Sequence, residues 1–549
     1  MGIFTRVNAG VTGLAWLAFL LFIPVSGVRG ETIAPLFTKT MTGGLYRHFS
    51  GQGVAIDGGG NFFVAGYTTT TTGGTAWRAL KFSGNGTLLW STGYDDYTAP
   101  SGNTAAANCI ALDGSGNAVV AGMEKTAATL QDWLIRKYST SGSLLWSAGY
   151  NNSAANNADI AYGVAVDSSG NIAVVGSEYR SDIGEESNWL VRKYSPGGTL
   201  LWSRTYDNPD PVLSNVTNDA AYGAAFDRNG NLFVAGSIDN QNSGTGNDLM
   251  VRKYLPNGDL AWSRTYGNLT SDNERASAVG TDASGNCFVA GSAENKNVPN
   301  PSDTDWLVLK YTGGGDLLWA STYTGPTPIF PAGTGGYDVA NSVAVDARGN
   351  AVIAGMEEYN DTGVPIIERY NARIIVFSPD GTMIAGTQYN DPTDLNEEFL
   401  GVSCDPWGNA AAVGYMDWPY LNSNIKWRSN LFLAGYLRSD WPNRPPPTTE
   451  EPSTEKADAR LSRNAFSADG SQTLVVSVKP DGGAVVSVRV YTASGRLVRQ
   501  LDGLAVRADG WQEAVWDGYN GDGQRVSRGV YLVNVMSGGF NRTLKVVVR

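Results

Sequence analysis

Acidic side chains recur at one place in a repeated pattern, a few residues after the glycine that ends a short apolar run. They are Glu124, Glu178, Asp239, Glu294, Glu357, Glu358 and Asp417. If these carboxylates lie on one face, they could hold a cation or a basic ligand. The alternative is ion pairing with the basic residues of the next apolar run, which are Arg136, Lys137, Arg192, Lys193, Arg252, Lys253 and Lys310.

One connection, Met416–Tyr420, is the most aromatic of the long ones. We therefore take as candidate ligand-binding residues Glu124, Glu178, Asp239, Glu294, Glu357, Asp417, Trp418 and Tyr420.

A second acidic motif, D-x-x-G-N, occurs seven times, as Asp57–Asn61, Asp113–Asn117, Asp167–Asn171, Asp227–Asn231, Asp282–Asn286, Asp346–Asn350 and Asp405–Asn409. Seven sets of oxygens invite a calcium interpretation. Each motif offers only one carboxylate, however, and Asp and Asn commonly cap the backbone of a turn. We therefore favour a structural role for this motif.

Tryptophans also recur, four residues after a turn glycine, at Trp90, Trp146, Trp202, Trp262 and Trp319. Their constant place in the repeat favours packing between repeats over a sugar-stacking platform. Tyr150-Asn-Asn152 and Tyr206-Asp-Asn208 end a run and are interpreted as turn initiators.

Histidine and cysteine offer little for catalysis or metal binding. His48 is the single histidine, and Cys109, Cys287 and Cys404 lack CxxC spacing. We expect three buried thiols and no catalytic set, so a non-enzyme is favoured. No cofactor is expected, and calcium is kept as an alternative.

The motifs belong to repeats of 54 to 64 residues between successive turn asparagines. In the third copy, four runs have strand length: Gly163–Val166, Ile172–Val175, Trp189–Tyr194 and Leu200–Tyr206. Four strands joined by hairpins and repeated radially predict the blades of a propeller. The seventh copy lacks its fourth run, and Leu36–Met41 matches that run, so the N-terminal segment is predicted to complete the last blade.

The long, variable connections, among them Ser177–Asn188, Met356–Arg373 and Tyr415–Asn430, then share one face, the predicted loop face. The acidic candidates above are placed on it, just beyond the second strand of each copy.

The motif apolar-D-x-x-G-N-apolar-x-V-x-G, followed by W-L-x-x-K-Y and G-x-L-L-W, resembles the seven-bladed β-propeller repeat (SBBP) family of bacterial secreted proteins. The resemblance covers residues 35–438 and implies an all-β, seven-bladed propeller. It implies no common activity and no shared catalytic residue.

The ends of the chain differ from the repeats. Residues 1–30 are predicted to be a signal peptide, with Arg6, an apolar run and small residues before Glu31. We expect no membrane span after its cleavage. Residues 439–460 read as an extended Pro/Thr/Glu linker. The net charge of -12 argues against nucleic-acid binding.

Residues 461–549 are predicted to form a small β-sandwich, because short runs such as Val486–Tyr491 alternate apolar and polar residues. Val490–Arg496, Trp516–Gly523 and Ser527–Tyr531 resemble the immunoglobulin-like domain of the flagellar hook-cap protein. They also resemble the C-terminal sorting domains of type IX secretion substrates, which implies a role in export or anchoring.

We expect a secreted or cell-surface bacterial protein, a monomer, whose loop face binds an extracellular protein or glycan. Its C-terminal domain would contact secretion or anchoring machinery. The alternative is an extracellular glycan lyase or hydrolase with a pair of carboxylates in the propeller funnel. A third reading makes the propeller a spacer.

Overall fold

The computed structural model describes an all-β protein. The described residues are 31–32, 37–41, 49–70, 74–94, 104–125, 130–153, 157–180, 187–208, 219–239, 246–267, 273–294, 304–325, 336–359, 369–389, 396–405, 408–417, 429–436, 458–461, 465–466, 473–479, 486–492, 497–501, 505–506, 512–520, 524–537 and 540–549. They contain no helix, and so none that is long and apolar enough to cross a bilayer.

Two short strands, β1 (Glu31–Thr32) and β2 (Phe37–Met41), precede a series of antiparallel sheets that we name I to VII in chain order. Sheet I contains β3 (Phe49–Ile56), β4 (Phe62–Thr69), β5 (Thr75–Phe82) and β6 (Leu88–Tyr94). Sheet II contains β7 (Thr104–Leu112), β8 (Ala118–Lys125), β9 (Gln131–Tyr138) and β10 (Leu144–Tyr150). Sheet III contains β11 (Ile160–Val166), β12 (Ile172–Tyr179), β13 (Ser187–Tyr194) and β14 (Leu200–Tyr206). Sheet IV contains β15 (Ala220–Phe226), β16 (Leu232–Asp239), β17 (Asn247–Tyr254) and β18 (Leu260–Tyr266).

The remaining three sheets of this series follow the same pattern. Sheet V contains β19 (Glu274–Thr281), β20 (Cys287–Glu294), β21 (Thr304–Tyr311) and β22 (Leu317–Tyr323). Sheet VI contains β23 (Val339–Val345), β24 (Ala351–Tyr359), β25 (Arg369–Phe377) and β26 (Met383–Tyr389). Sheet VII contains β27 (Glu397–Cys404), β28 (Ala410–Asp417) and β29 (Ser429–Tyr436).

The N-terminal strands pair with the last two sheets. Strand β2 pairs antiparallel with β29 and forms the fourth strand of sheet VII, with Phe37 opposite Gly435 and Met41 opposite Leu431. Strand β1 adds a fifth strand to sheet VI, parallel to β26. Backbone hydrogen bonds therefore join the N-terminal strands to sheets VI and VII, which lie more than 300 residues later in the sequence.

The predicted strands occur, but several are longer than the sequence indicated. In sheet III the first strand begins at Ile160 rather than Gly163, and the second runs to Tyr179 rather than Val175. The turns between first and second strands are as tight as predicted, and Gly170 has a φ of 80°, which favours glycine.

Apolar side chains lie between neighbouring sheets rather than in one central core. One buried cluster joins Trp77 of sheet I to Leu134 of sheet II, and another joins Trp133 of sheet II to Val174 of sheet III. The series continues through every later pair, and the last cluster joins Ala411 and Val413 of sheet VII to residues of sheet I. The first strands follow the same order: each contacts the first strand of the next sheet, and β27 contacts β3.

The C-terminal residues form two further sheets that pack face to face around one buried apolar cluster. The first contains β30 (Asp458–Leu461), β32 (Leu474–Lys479), β36 (Gln512–Trp516) and β35 (Ala505–Val506). The second contains β31 (Ala465–Phe466), β38 (Phe540–Val548), β37 (Gly529–Ser537), β33 (Val486–Thr492) and β34 (Leu497–Leu501). Alternation puts Val486, Val488 and Val490 into the core between them.

The cysteines are unpaired, and the expectation of three buried thiols is wrong in part. Cys287 is buried, whereas Cys109 and Cys404 are half-buried on first strands. The exposed part of Cys109 is not its thiol, which donates to the carbonyl oxygen of Ala121 at 3.4 Å and whose pKa is raised to about 12 by burial.

Candidate functional site

The D-x-x-G-N motifs form self-contained turns, as predicted. In sheet III, Asp167 Oδ1 accepts hydrogen bonds from the backbone nitrogens of Ser169 (2.9 Å) and Asn171 (2.8 Å). Asp167 Oδ2 accepts one from Asn171 Nδ2 at 2.9 Å. The carboxylate is therefore committed to its own turn, and the structural interpretation is confirmed.

Five of the seven turn aspartates also face a lysine of the third strand in the same sheet. The Lys Nζ to Asp Oδ2 distances are 3.4 Å for Lys81–Asp57, 2.8 Å for Lys137–Asp113, and 3.3 Å for Lys193–Asp167, Lys253–Asp227 and Lys310–Asp282. These lysines do not pair with the acidic residues of the second strand, so that part of the alternative reading is wrong. The register brings the lysine side chain over the turn instead.

The recurrent tryptophans connect each sheet to the next. Trp202 Nε1 donates a hydrogen bond to the carbonyl oxygen of Pro256, in the turn of sheet IV, at 3.1 Å. Its indole lies against Gly258 of that turn, where a Cβ atom would come within 2.8 Å of the ring. Trp90, Trp146, Trp262 and Trp319 make the same hydrogen bond to the sheet that follows. The packing interpretation is confirmed.

The acidic candidates lie within the second strands, and the prediction that they follow those strands is wrong. Their distance from the repeat glycine divides these acidic residues into two sets. Glu124, Glu178 and Glu357 lie two residues after the repeat glycine, and Asp239, Glu294, Glu358 and Asp417 lie three residues after it. Adjacent strand residues point to opposite sides, so the two sets do not share one surface. Trp418 and Tyr420 lie outside the described residues.

Two of these glutamates are buried and bonded. Glu178, 2% exposed, accepts hydrogen bonds from the Tyr150 hydroxyl and from Thr205 Oγ1 (2.7 Å), and lies 3.8 Å from Arg180 Nη1. Glu357 is fully buried and accepts hydrogen bonds from the Tyr323 hydroxyl (2.8 Å) and Arg373 Nη1 (3.3 Å). Burial raises the pKa of Glu357 although Arg373 opposes the shift.

The other acidic candidates differ from these two. Glu294 is half-buried and accepts a hydrogen bond from Asn273 Nδ2 at 2.7 Å. Glu124 is half-buried opposite Asp132 of the next strand. Asp239 is buried, and its backbone nitrogen donates to Asp219 Oδ1. In the part of the chain that the structure describes, no group of three or more His, Cys, Asp or Glu side chains is arranged to hold a metal ion.

Buried carboxylates also precede the first strands, and the sequence analysis missed them. Asp159 accepts hydrogen bonds from the backbone nitrogens of Asn152 (2.6 Å) and Tyr179 (2.9 Å). It thereby ties the connection from sheet II to the second strand of sheet III. Asp219 and Asp338 make the equivalent pair of bonds. Burial raises the pKa of Asp159 to about 6, of Asp219 to about 7 and of Asp338 to about 8.

A sequence feature could have identified these carboxylates. An acidic residue lies eight positions before the turn aspartate in five copies, as Asp159, Asp219, Glu274, Asp338 and Glu397. All five are buried. The constant spacing follows from the fixed length of the first strand.

The first strands carry a second feature, an irregularity in register with the second strand. In each sheet one residue of the first strand is left without an opposite partner, as Gln52, Asn108, Tyr162, Tyr222, Ser277, Asn341 and Leu400. Such bulges redirect a side chain out of the regular pleat. Six of these seven bulge residues are polar or aromatic, and the seventh is Leu400.

The bulge side chains contact neighbouring sheets. The rings of Tyr162 (sheet III) and Tyr222 (sheet IV) lie 5.1 Å apart at 50°. The guanidinium of Arg275 (sheet V) lies over the Tyr222 ring, 3.9 Å from its centroid. Both tyrosines are half-buried and Arg275 is exposed. Three sheets thus build one cluster, which we name the Tyr–Arg platform: Tyr162, Tyr222 and Arg275.

A carboxylate occupies the matching place on sheet VII. Glu398 is half-buried, and its Oε1 accepts a hydrogen bond from the bulge residue Asn341 of sheet VI at 2.7 Å. Burial raises its pKa, although bonds from Tyr415 and Asn341 oppose the shift. At the equivalent position the other first strands carry Ser50, Ala106, Ile160, Ala220, Arg275 and Val339.

The bulge residues therefore place polar and aromatic groups near the start of the first strands, next to the long connections. The other end, next to the D-x-x-G-N turns, carries mainly apolar residues such as Leu112, Val166 and Phe226.

Comparison with known proteins gives a family for the C-terminal part of the chain. Residues 463–539 match the FlgD Ig-like domain family. No curated protein matches the chain. The matched segment covers β31 to β37 of the two C-terminal sheets, so the predicted immunoglobulin-like sandwich is confirmed and the chain carries a FlgD Ig-like domain.

Proposed function

We propose that this protein is a cell-surface or secreted binding protein, in which sheets I to VII close into a seven-bladed β-propeller and display a ligand-binding loop face. Support for closure comes from the contacts of the last sheet. Ala411 and Val413 of sheet VII share an apolar cluster with sheet I, and β27 contacts β3. A Cβ atom on Gly401 of sheet VII would come within 3.0 Å of the Gln52 carbonyl oxygen in sheet I.

The single observation that carries the binding function is the Tyr–Arg platform. In a closed propeller, the first strands line the central axis, so Tyr162, Tyr222 and Arg275 lie at the loop-face opening of that axis. Concave openings lined by aromatic rings with a few polar groups are common ligand sites. On the opposite face, the described turn aspartates are engaged in hydrogen bonds within their own turns.

The FlgD Ig-like domain is proposed to serve export, anchoring or cell-surface interaction. Support comes from the family match and from the leader-like residues 1–30, which lie outside the described residues. Full display at the cell surface after deletion of residues 461–549 would contradict this role.

A glycan-active enzyme would need two carboxylates across the sugar ring, about 5–10 Å apart. Among the described first strands, Glu398 is the accessible carboxylate, and Glu274 and Glu397 are buried. A catalytic pair would therefore have to draw on the long connections. For this reason we propose binding rather than turnover.

The experiment that tests the function is an array of glycans and cell-surface polymers probed with the full chain, with and without calcium. We expect a specific ligand whose binding is lost in the double variant Tyr162→Ala, Tyr222→Ala. Leu145→Ser is the control, because Leu145 is 50% exposed on a fourth strand, away from the platform. Absence of any ligand in both conditions, or retention in the double variant, would contradict the proposal.

A further inference from the structure

Arg275 is one of several strand arginines that lie over an aromatic ring. It differs from Arg192 and Arg252, which are half-buried, and from Arg264, which donates hydrogen bonds to the carbonyl oxygens of Gly315 and Ser263. The lysines of the third strands each face a turn aspartate, and Arg373 donates to Glu357. Arg275 is exposed and stacks on Tyr222, and no carboxylate among the described residues pairs with it. In a protein of net charge -12, an exposed arginine that pairs with no carboxylate of the described residues is a candidate to bind an external anion.

The stacked geometry suits a carboxylate. A guanidinium lying over an aromatic ring keeps its N–H donors at its edge, and two of them match the two oxygens of a carboxylate. Stacking also fixes the orientation of the guanidinium before a ligand arrives, which lowers the entropy lost on binding.

The two tyrosines add a surface for a flat, partly apolar ring. Tyr162 and Tyr222 belong to sheets III and IV, so their 5.1 Å separation is held by strands rather than by loops. Each ring presents an apolar face together with a polar hydroxyl. A sugar ring has the same character, with C–H groups on its faces and hydroxyls at its edge.

We propose that Tyr162, Tyr222 and Arg275 form a subsite for a uronic-acid residue of an acidic polysaccharide. The proposal rests on the binding function above and specifies its ligand class. Arg275 receives the sugar carboxylate, and the tyrosine rings receive the face of the sugar. The nearest alternative, the C-terminal carboxylate of a peptide, uses the arginine but leaves the paired rings without a role.

Calorimetric titration of the full chain tests the proposal, with oligogalacturonate and its fully methyl-esterified form as the two probes. The two differ only in the carboxylate. We expect binding of the free acid that weakens with added salt, and a loss of at least tenfold for the ester.

Variants then locate the site. Arg275→Gln should lower affinity for the acid about tenfold or more, and Arg275→Lys should restore part of it because it keeps the charge but not the paired donors. Arg228→Gln removes the same charge from an exposed turn at the opposite end of the first strand in sheet IV and should bind as the wild type does. Melting curves of all variants show whether any loss is a folding defect.

The outcomes separate this proposal from the function on which it rests. Equal affinity for acid and ester, equal affinity of Arg275→Gln and wild type, or a preference for sulfated sugars or peptides would overturn the uronic-acid subsite and leave a binding protein. No ligand on the array, together with no binding of either probe, would overturn both.

Discussion

The contact between Trp202 and Gly258 couples sheet III to sheet IV, and its strength can be worked out from the structure. Trp202 is 9% exposed and donates from Nε1 to Pro256. Replacement of such a residue by alanine usually costs about 3–5 kcal/mol. We expect about 3 kcal/mol for Trp202→Ala, because the indole lies at the edge of the sheet pair.

Gly258→Ala should destabilise the protein for two separate reasons. Gly258 has a φ of 88°, and an L-residue pays about 1–2 kcal/mol in the left-handed region. The new Cβ would also lie 2.8 Å from Trp202 Cδ2, which forces the indole to move and costs about another 1–2 kcal/mol. The sum is roughly 3 kcal/mol.

The two changes should not be additive. Without the indole, only the backbone part of the Gly258→Ala cost remains, so the double variant should be about 1–2 kcal/mol more stable than the sum predicts. Gly60→Ala is the matched control: its φ is 76°, and a Cβ there meets nothing within 4 Å. Gly60→Ala should cost only the free energy of placing alanine in the left-handed region, whether or not Trp202 is present.

Urea denaturation followed by circular dichroism measures each free energy of unfolding, and it does not depend on the tryptophan signal. Additivity within about 0.3 kcal/mol for Trp202 and Gly258 would refute the inter-sheet contact. So would an equal cost of Gly258→Ala and Gly60→Ala.

Further predictions concern burial, closure and the turns. The pKa of Asp159 is raised from 3.8 to about 6, so its contribution to stability is complete below pH 4 and is lost as pH rises through 6. The free energy of unfolding of the wild type relative to Asp159→Asn should therefore fall by about 3 kcal/mol between pH 4 and pH 7, and a pH-independent difference in urea melts would contradict this. Deleting residues 31–41 removes β1 and β2 and exposes the edges of β26 and β29; it should lower the melting temperature and promote aggregation, detectable by light scattering. Asp167→Ala removes three hydrogen-bond acceptor contacts and leaves Lys193 buried without its partner; it should cost about 2–4 kcal/mol, more than Lys193→Met, and the reverse order in thermal melts would disprove the assignment.

Features that depend on a few neighbouring residues could be predicted from the sequence. Asp167, Gly170 and Asn171 complete their turn with bonds spanning two to four residues, so the motif predicted both the turn and the role of its carboxylate. The tryptophan role followed from its constant place in the repeat. The C-terminal strands followed from alternation such as Val486–Val488–Val490.

Features that depend on packing between repeats could not be predicted in this way. The sequence placed the acidic candidates beyond the second strands, but the strands are longer, and alternation sends Glu357 and Glu358 to opposite sides. Tertiary contacts alone decide that Glu178 is buried beneath Tyr150.

The sequence by itself determined an all-β chain of repeats, because alternation and tight turns are local properties. The tertiary structure decided which residues meet. Tyr162, Tyr222 and Arg275 lie 60 and 53 positions apart, on three sheets, and come together only because the bulges and the packing of successive first strands direct them to one place. A contact across that separation depends on how whole sheets pack, which no short sequence pattern encodes.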